Sequence, residues 1–205
     1  VRKLAAVEMQ QQVEHELNDL SMAGARFEVE FQATADASGV ENQTGERAVF
    51  SEAGVDRVEF FIAPNPGEGL KPLARIASGG ETSRLMLALK NVLTNADFIP
   101  TLIFDEIDQG IGGKVGNVVG EKLWRLGRSH QVMCVTHLPQ LAAYGDQHFR
   151  VRKVVQKNRT TTEVHELDEA ARCSELATMT GSVSEASLKA AREALEAAHH
   201  NSASH

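Results

Sequence analysis

Three short stretches hold the residue types that could do chemistry. Ala77-Ser78-Gly79-Gly80-Glu81 sets a serine and two glycines ahead of an amphipathic run. Thr101-Leu102-Ile103-Phe104-Asp105-Glu106 is an apolar run that ends in two acids. Val132-Met133-Cys134-Val135-Thr136-His137 is a second apolar run that ends in a histidine. In the first, glycines let backbone amides approach a ligand without Cβ interference. A helix opening there turns its free N–H groups and positive dipole end outward, which suits a terminal phosphate. Ser78 adds a hydroxyl. Taken alone, the tetrapeptide reads first as an ordinary N-cap with a flexible turn.

The acids offer a division of labour. One carboxylate can hold Mg²⁺, directly or through water, and the other can polarise an attacking water as general base. Two solvated acids at a strand end are the other reading. Asp108-Gln109-Gly110-Ile111-Gly112-Gly113 follows, either as a plain strand-to-helix connection or as a loop that carries information between two nucleotide sites. His137, just past a buried strand, can donate to a γ-phosphate, although a lone histidine is more often structural. The other seven histidines carry no assigned role. No G-x-x-x-x-G-K-[ST] phosphate loop occurs in the chain, so these groups read as half of a nucleotide site.

The elements that must position them follow from periodicity. Leu4, Val7, Val13, Leu17 and Leu20 give helical spacing over 1–22, with Gly24 as its stop. Sustained heptads are missing there, so a coiled coil cannot be derived from spacing. Strands are expected at 27–31, 47–50 and 57–62, with a polar loop from Asp36 to Gly45 and a Pro/Gly loop from 64 to 72. This first third is a small antiparallel β region. Beyond it, helices at 80–95, 114–127, 170–180 and 184–198 alternate with buried strands at 101–105 and 131–136, and further strands are expected at 148–155 and 161–167. Such alternation implies an α/β fold with a mainly parallel sheet flanked by helices and ligands near the strand C-termini. Residues 199–205 read as a disordered tail.

Composition narrows the classes. The 205 residues suffice for one sizeable domain, and the net charge of −7 argues against one broad basic surface for nucleic acid. A local basic cluster, Arg150, Arg152, Lys153, Lys157 and Arg159, reads first as a solvated strand-and-turn edge. Two distant cysteines, Cys134 and Cys173, make neither a disulfide framework nor a metal-ligand spacing, which fits a reducing cytoplasm. No apolar run is long enough to span a membrane. The first residues show no signal-peptide pattern and read as mid-helix, so an upstream region is expected.

The order of signature turn, helix, strand with two acids, Gly-rich loop, helix, strand and histidine is similar to the C-terminal half of an ATP-binding-cassette ATPase. More closely, Gly54-Val55-Asp56-Arg57-Val58-Glu59-Phe60, Asn65-Pro66-Gly67, Pro72 through Glu81, Asp105 through Gly113 and Thr136 through Ala142 resemble the RecN family of bacterial DNA repair proteins. The resemblance covers about residues 20 to 198. It implies an SMC-like head, of the P-loop NTPase type, split by a long antiparallel coiled coil. Residues 1–22 would be the end of the returning coiled-coil helix and 23–198 the C-terminal head lobe. It further implies ATP and Mg²⁺ as cofactors, with Ser78, Gly79, Gly80 and Glu81 contacting ATP held by the opposite head. Asp105 would act on the metal, Glu106 as catalytic base, Asp108 within the loop facing ATP, and His137 as the switch histidine. Implied partners are the N-terminal head lobe of the same protein, a second identical head, DNA and recombination proteins. The implied setting is double-strand break repair in the cytoplasm, at the nucleoid. Thr82 departs from the Leu of many relatives, and the N-terminal lobe with its phosphate loop is missing, so the chain alone should hydrolyse almost no ATP. Two other readings stand beside this one. A transporter-type cassette ATPase is disfavoured by the β region before the signature and by Glu81. A non-catalytic DNA or protein scaffold is disfavoured by Glu106 and His137.

Overall fold

The computed structural model describes residues 1–41, 45–52, 54–76, 79–93, 99–156 and 159–203. They fall into two units, Val1–Ser78 and Gly79–His205.

In the first unit, α1 (Arg2–Asp19) buries Val13 and Leu17. Its side chains tie it to β1 (Arg26–Gln32): Gln10 Nε2 donates to the Phe27 carbonyl at 3.2 Å, and the Phe27 N–H donates to Glu14 Oε1 at 3.0 Å. The helix does not run on to Gly24. Ser21 takes the left-handed conformation (φ 64°), and the Met22 N–H reaches back to the Leu17 carbonyl at 3.0 Å. That is a Schellman closure built on a serine, with Met22 buried behind it.

β1 pairs antiparallel with β4 (Arg57–Ala63), and β5 (Lys71–Pro72) adds to the far edge of β4, where a proline is tolerated. Phe27, Ile62 and Ala63 are buried with Val13, Leu17 and Leu20. The expected loop from Asp36 is corrected: β2 (Ala35–Glu41) is a strand paired with β3 (Arg47–Ala48), with a register shift between Ala35 and Val40. Its polar sequence hides it. Pairing works because Gly39 presses on Ala48, where a Cβ would strike the Ala48 carbonyl.

The second unit holds the α/β part. After α2 (Gly80–Leu93) come β6 (Thr101–Phe104), α3 (Gly113–Leu126), β7 (Gln131–Cys134) and the short α4 (Pro139–Ala142), which periodicity misses because it is one turn long. β6 and β7 are parallel, with Ile103 beside Met133 and Phe104 beside Cys134. The parallel sheet of the sequence reading is present as this pair; β8 (Phe149–Gln156) and β9 (Arg159–Glu166) form an antiparallel hairpin. The expectation of buried strands at 101–105 and 131–136 is corrected for one face. Leu102 and Phe104 are buried, whereas Ile103 (70%), Met133 (54%) and Val135 (62%) stand exposed on the other face. An uninterrupted apolar run is the sequence of a strand covered twice, and only one cover lies among the described residues.

α3 turns Gly113, Gly116 and Gly120 toward the segment 138–144, and a Cβ at Gly120 would overlap the Tyr144 ring. α5 (Glu169–Met179) is capped by Asp168, whose carboxylate accepts the Ala171 N–H at 2.8 Å. α6 (Glu185–Ala203) extends helically into the residues read as a tail. Leu176, Ala177, Ala191, Leu195 and Ala198 pack around Ala143 and Cys173 as a core of their own. Among the described residues no helix is long and apolar enough to cross a membrane.

Candidate functional site

β6 and β7 run side by side in the same direction, so the residues just past Phe104 and Cys134 emerge at one end. Asp105 and Glu106 are both exposed there. Glu106 takes the left-handed conformation (φ 56°), an unusual one for a residue with a Cβ. Strands alternate their side chains between faces, and this departure from extended backbone lets both acids leave the sheet together. Asp105 Oδ1 accepts the Glu106 N–H at 2.9 Å, and the Gln109 N–H returns to the Glu106 carbonyl at 3.0 Å. The acids therefore sit on a closed turn.

The first turn of α2 is fastened to this turn at several points. Ser83 Oγ donates to the Asp105 carbonyl at 2.7 Å. Arg84 Nη1 donates to the carbonyls of Ile107 (3.3 Å) and Gln109 (2.9 Å). The Gly80 N–H donates to Gln109 Oε1 at 3.2 Å. Arg84 is only 6% exposed, and burial lowers the pKa of its guanidinium while nearby Glu81 works against that shift. Gly80 is required by space: a Cβ there would lie 2.8 Å from both the Glu106 carbonyl oxygen and Gln109 Cβ. Arg84 was not singled out from the sequence, because a charged residue in an amphipathic helix reads as surface.

Asp108 joins the other side. It is 3% exposed, and its Oδ2 accepts from Thr136 Oγ1 (2.5 Å) and the His137 N–H (2.8 Å), with His137 Nδ1 3.0 Å from the same oxygen. Thr136 Oγ1 in turn accepts the Leu138 N–H at 3.0 Å. The His137 ring is exposed. Beneath this junction, burial first and then the charges of Asp108 and Asp105 push the Cys134 thiol up to about 12, so Cys134 is an inert thiol rather than a nucleophile.

Of the residues expected to act on nucleotide, Gly79, Gly80, Glu81, Asp105, Glu106, Asp108 and His137 belong to this one unit, and Ser78 lies outside the described residues. Glu81 is exposed on the first turn of α2. Among the described residues no cluster of three or more His, Cys, Asp or Glu could hold a metal unaided. Arg150 pairs with Glu175 of α5 at 3.4 Å, Arg152 faces Glu163 across the hairpin, Lys153 points to the opposite face of the strand, and Lys157 lies outside the described residues.

No protein-family model matches the chain. The DNA repair protein RecN of Halalkalibacterium halodurans is 40% identical over 200 residues, which is 97% of this chain and 34% of that protein. RecN of Bacillus subtilis (strain 168) is 36% identical over 185 residues, 89% of this chain and 32% of that protein. The chain thus spans about a third of the length of these curated relatives. Among solved structures, the Smc head domain with a coiled coil and joint from Pyrococcus yayanosii matches 87% of this chain and 30% of its own, with a TM-score of 0.53 at 18% identity. That likeness is one of fold.

Proposed function

This chain belongs to the RecN family of DNA repair proteins, and on that premise we propose that it is the C-terminal lobe of an SMC-like ATPase head. The complete protein binds and hydrolyses ATP between two dimerised heads during double-strand break repair and recombination. One observation carries the reading: the first turn of α2 is hydrogen-bonded through Ser83, Arg84 and Gly80 to the loop that bears the two acids, and Asp108 of that same loop is hydrogen-bonded to Thr136 and His137.

In this mechanism the turn from Ser78 to Glu81 offers backbone N–H groups to the γ-phosphate of ATP seated on the opposite head. Glu106, lifted out of the strand, accepts the proton of the attacking water. His137 presents its imidazole to the same phosphate. Asp105 offers an exposed carboxylate, which suits Mg²⁺, an ion that takes one or two carboxylates and fills its other positions with water and phosphate oxygens. When bound, that ion would neutralise charge on the β- and γ-phosphates. The phosphate cradle itself belongs to the N-terminal lobe, and the exposed face of Ile103, Met133 and Val135 is the surface against which that lobe would pack. DNA and recombination proteins are the partners of the assembled heads, at the bacterial nucleoid.

The test is ATP turnover by this chain alone and after mixing with a separately made N-terminal lobe. Turnover only in the mixture is expected. Robust turnover by the chain alone would overturn the split-site reading. Glu106→Gln in a complete head should trap ATP and hold the heads closed; if it changes nothing, the scaffolding reading takes its place.

A further inference from the structure

We propose that Asp108 is a positioning residue for His137 rather than a ligand of the nucleotide. The inference rests on the ATPase reading above and assigns a role within the same site. Asp108 is turned inward, away from solvent. Its Oδ2 already receives the Thr136 hydroxyl and the His137 backbone N–H. The imidazole Nδ1 lies 3.0 Å from that same oxygen, and a carboxylate oxygen that already accepts from two donors favours an N–H there over a lone pair.

Three consequences follow from that geometry. The neutral ring is held as the Nδ1–H tautomer, because the partner of one ring nitrogen decides the state of the other. Nε2 is then the nitrogen left at the exposed edge of the ring, where the residues past β6 and β7 emerge together. The same carboxylate also fixes the backbone at His137, since Thr136 Oγ1 both donates to Asp108 and caps the Leu138 N–H. Rotamer, tautomer and backbone of His137 are thus set by one buried side chain from the neighbouring loop. A nucleotide ligand would instead need to reach outward from the loop.

The test uses the complete protein with both head lobes. Asp108→Asn keeps the shape and removes the charge. If Asp108 acts through His137, kcat falls roughly tenfold to a hundredfold, as for other groups that orient an active residue, while KM for ATP stays within about twofold. The double variant with His137→Ala should then be no slower than His137→Ala alone. A raised KM with kcat retained, or losses that multiply in the double variant, would overturn the proposal. A second readout needs neither turnover nor a variant that folds. Nitrogen-15 spectra of ring-labelled histidine in the parent protein should show His137 with the hydrogen on Nδ1. An Nε2–H tautomer would overturn the inference even if the protein hydrolysed no ATP, an outcome that would separately overturn the ATPase reading.

Discussion

The side-chain oxygen of Gln109 accepts the backbone N–H of Gly80 at 3.2 Å. That N–H belongs to the first turn of α2, where helix donors lack partners in their own helix. It is also a donor that the ATPase reading offers to phosphate. Gln109 therefore occupies, from within the same lobe, a place that a phosphate oxygen would take. Gln109→Ala should tighten ATP-dependent pairing of complete heads about fivefold, the worth of one net hydrogen bond. Light scattering or ultracentrifugation with Glu106→Gln heads would measure it. Weaker pairing would mean that Gln109 supports the turn instead of competing for it.

Glu106 sits at φ 56°, a conformation that costs an L-residue about 1–2 kcal/mol. Glu106→Gly should relieve that strain, offset in part by the flexibility of the unfolded glycine, for a net gain of about 0.5–1 kcal/mol. Hydrolysis should be lost at the same time. Thermal melting and turnover measured on one preparation check both parts. A lower melting temperature would show that the Glu106 side chain makes a contact that outweighs the strain.

Arg84 holds the carbonyls of Ile107 and Gln109, yet its Nε is buried with no hydrogen-bond partner among the described residues. Arg84→Met would leave two carbonyls short of a donor while removing that orphaned N–H. The two effects oppose each other, so stability should change by no more than about 1 kcal/mol. The loop from Gln109 to Gly112 should loosen, seen as faster amide exchange and slower turnover. A loss of several kcal/mol in a denaturant melt would make Arg84 a structural clamp first.

His148 is half-buried, and its Nδ1 makes no hydrogen bond among the described residues. Burial, and then the neighbouring Arg172, lower its pKa, with Glu175 opposing. The unfolded chain therefore binds the proton more readily than the folded one. Stability from keeping His148 neutral is fully present above the unfolded value of about 6.5 and is lost as the pH falls below it, down to the lowered folded value. His148→Gln should flatten the decline of the melting temperature between about pH 7 and pH 5. An unchanged slope would show that other groups set it.

Ile103 and Met133 lie side by side on the uncovered face of the β6–β7 pair. Lysine at either position should leave the stability of this chain within about 0.5 kcal/mol, as at other exposed sites. The same change should abolish co-purification with the N-terminal lobe. Retained association would place the lobe contact elsewhere.

The apolar runs 101–104 and 131–135, the helix that opens at Gly80 and the exposed acids past the first run were readable in the sequence because each rests on local periodicity or on residue type. Thr136-His137 was readable for the same reason. The inward turn of Asp108 was not, since nothing in Ile107-Asp108-Gln109 says which side of the loop faces the core. Nor was the left-handed Glu106, because a carboxylate in that conformation carries no compositional mark as glycine does. β2 escaped because Asp36, Ser38 and Gly39 are turn formers whose pairing with Arg47–Ala48 is decided by backbone proximity. The outer face of β6 and β7 reads as core from sequence alone; its exposure depends on what covers it, which no local pattern records.

α1 is held along its length: Ala6, Val13 and Leu17 are buried, Gln10 and Glu14 bond the backbone of Phe27, and Arg2 in the first turn pairs with Asp56 at 3.7 Å. Its first turns carry Leu4 and Val7 exposed to solvent. A helix of 18 residues reaches about 27 Å. Held near both ends, it moves with the sheet beneath it as one body. A tilt of about 10° at the sheet would carry the tip at Val1 through about 5 Å, close to one helical turn. A tilt of helix and sheet together, with the packing around Phe27 intact, would thus shift the register of anything laid against the exposed Leu4 and Val7.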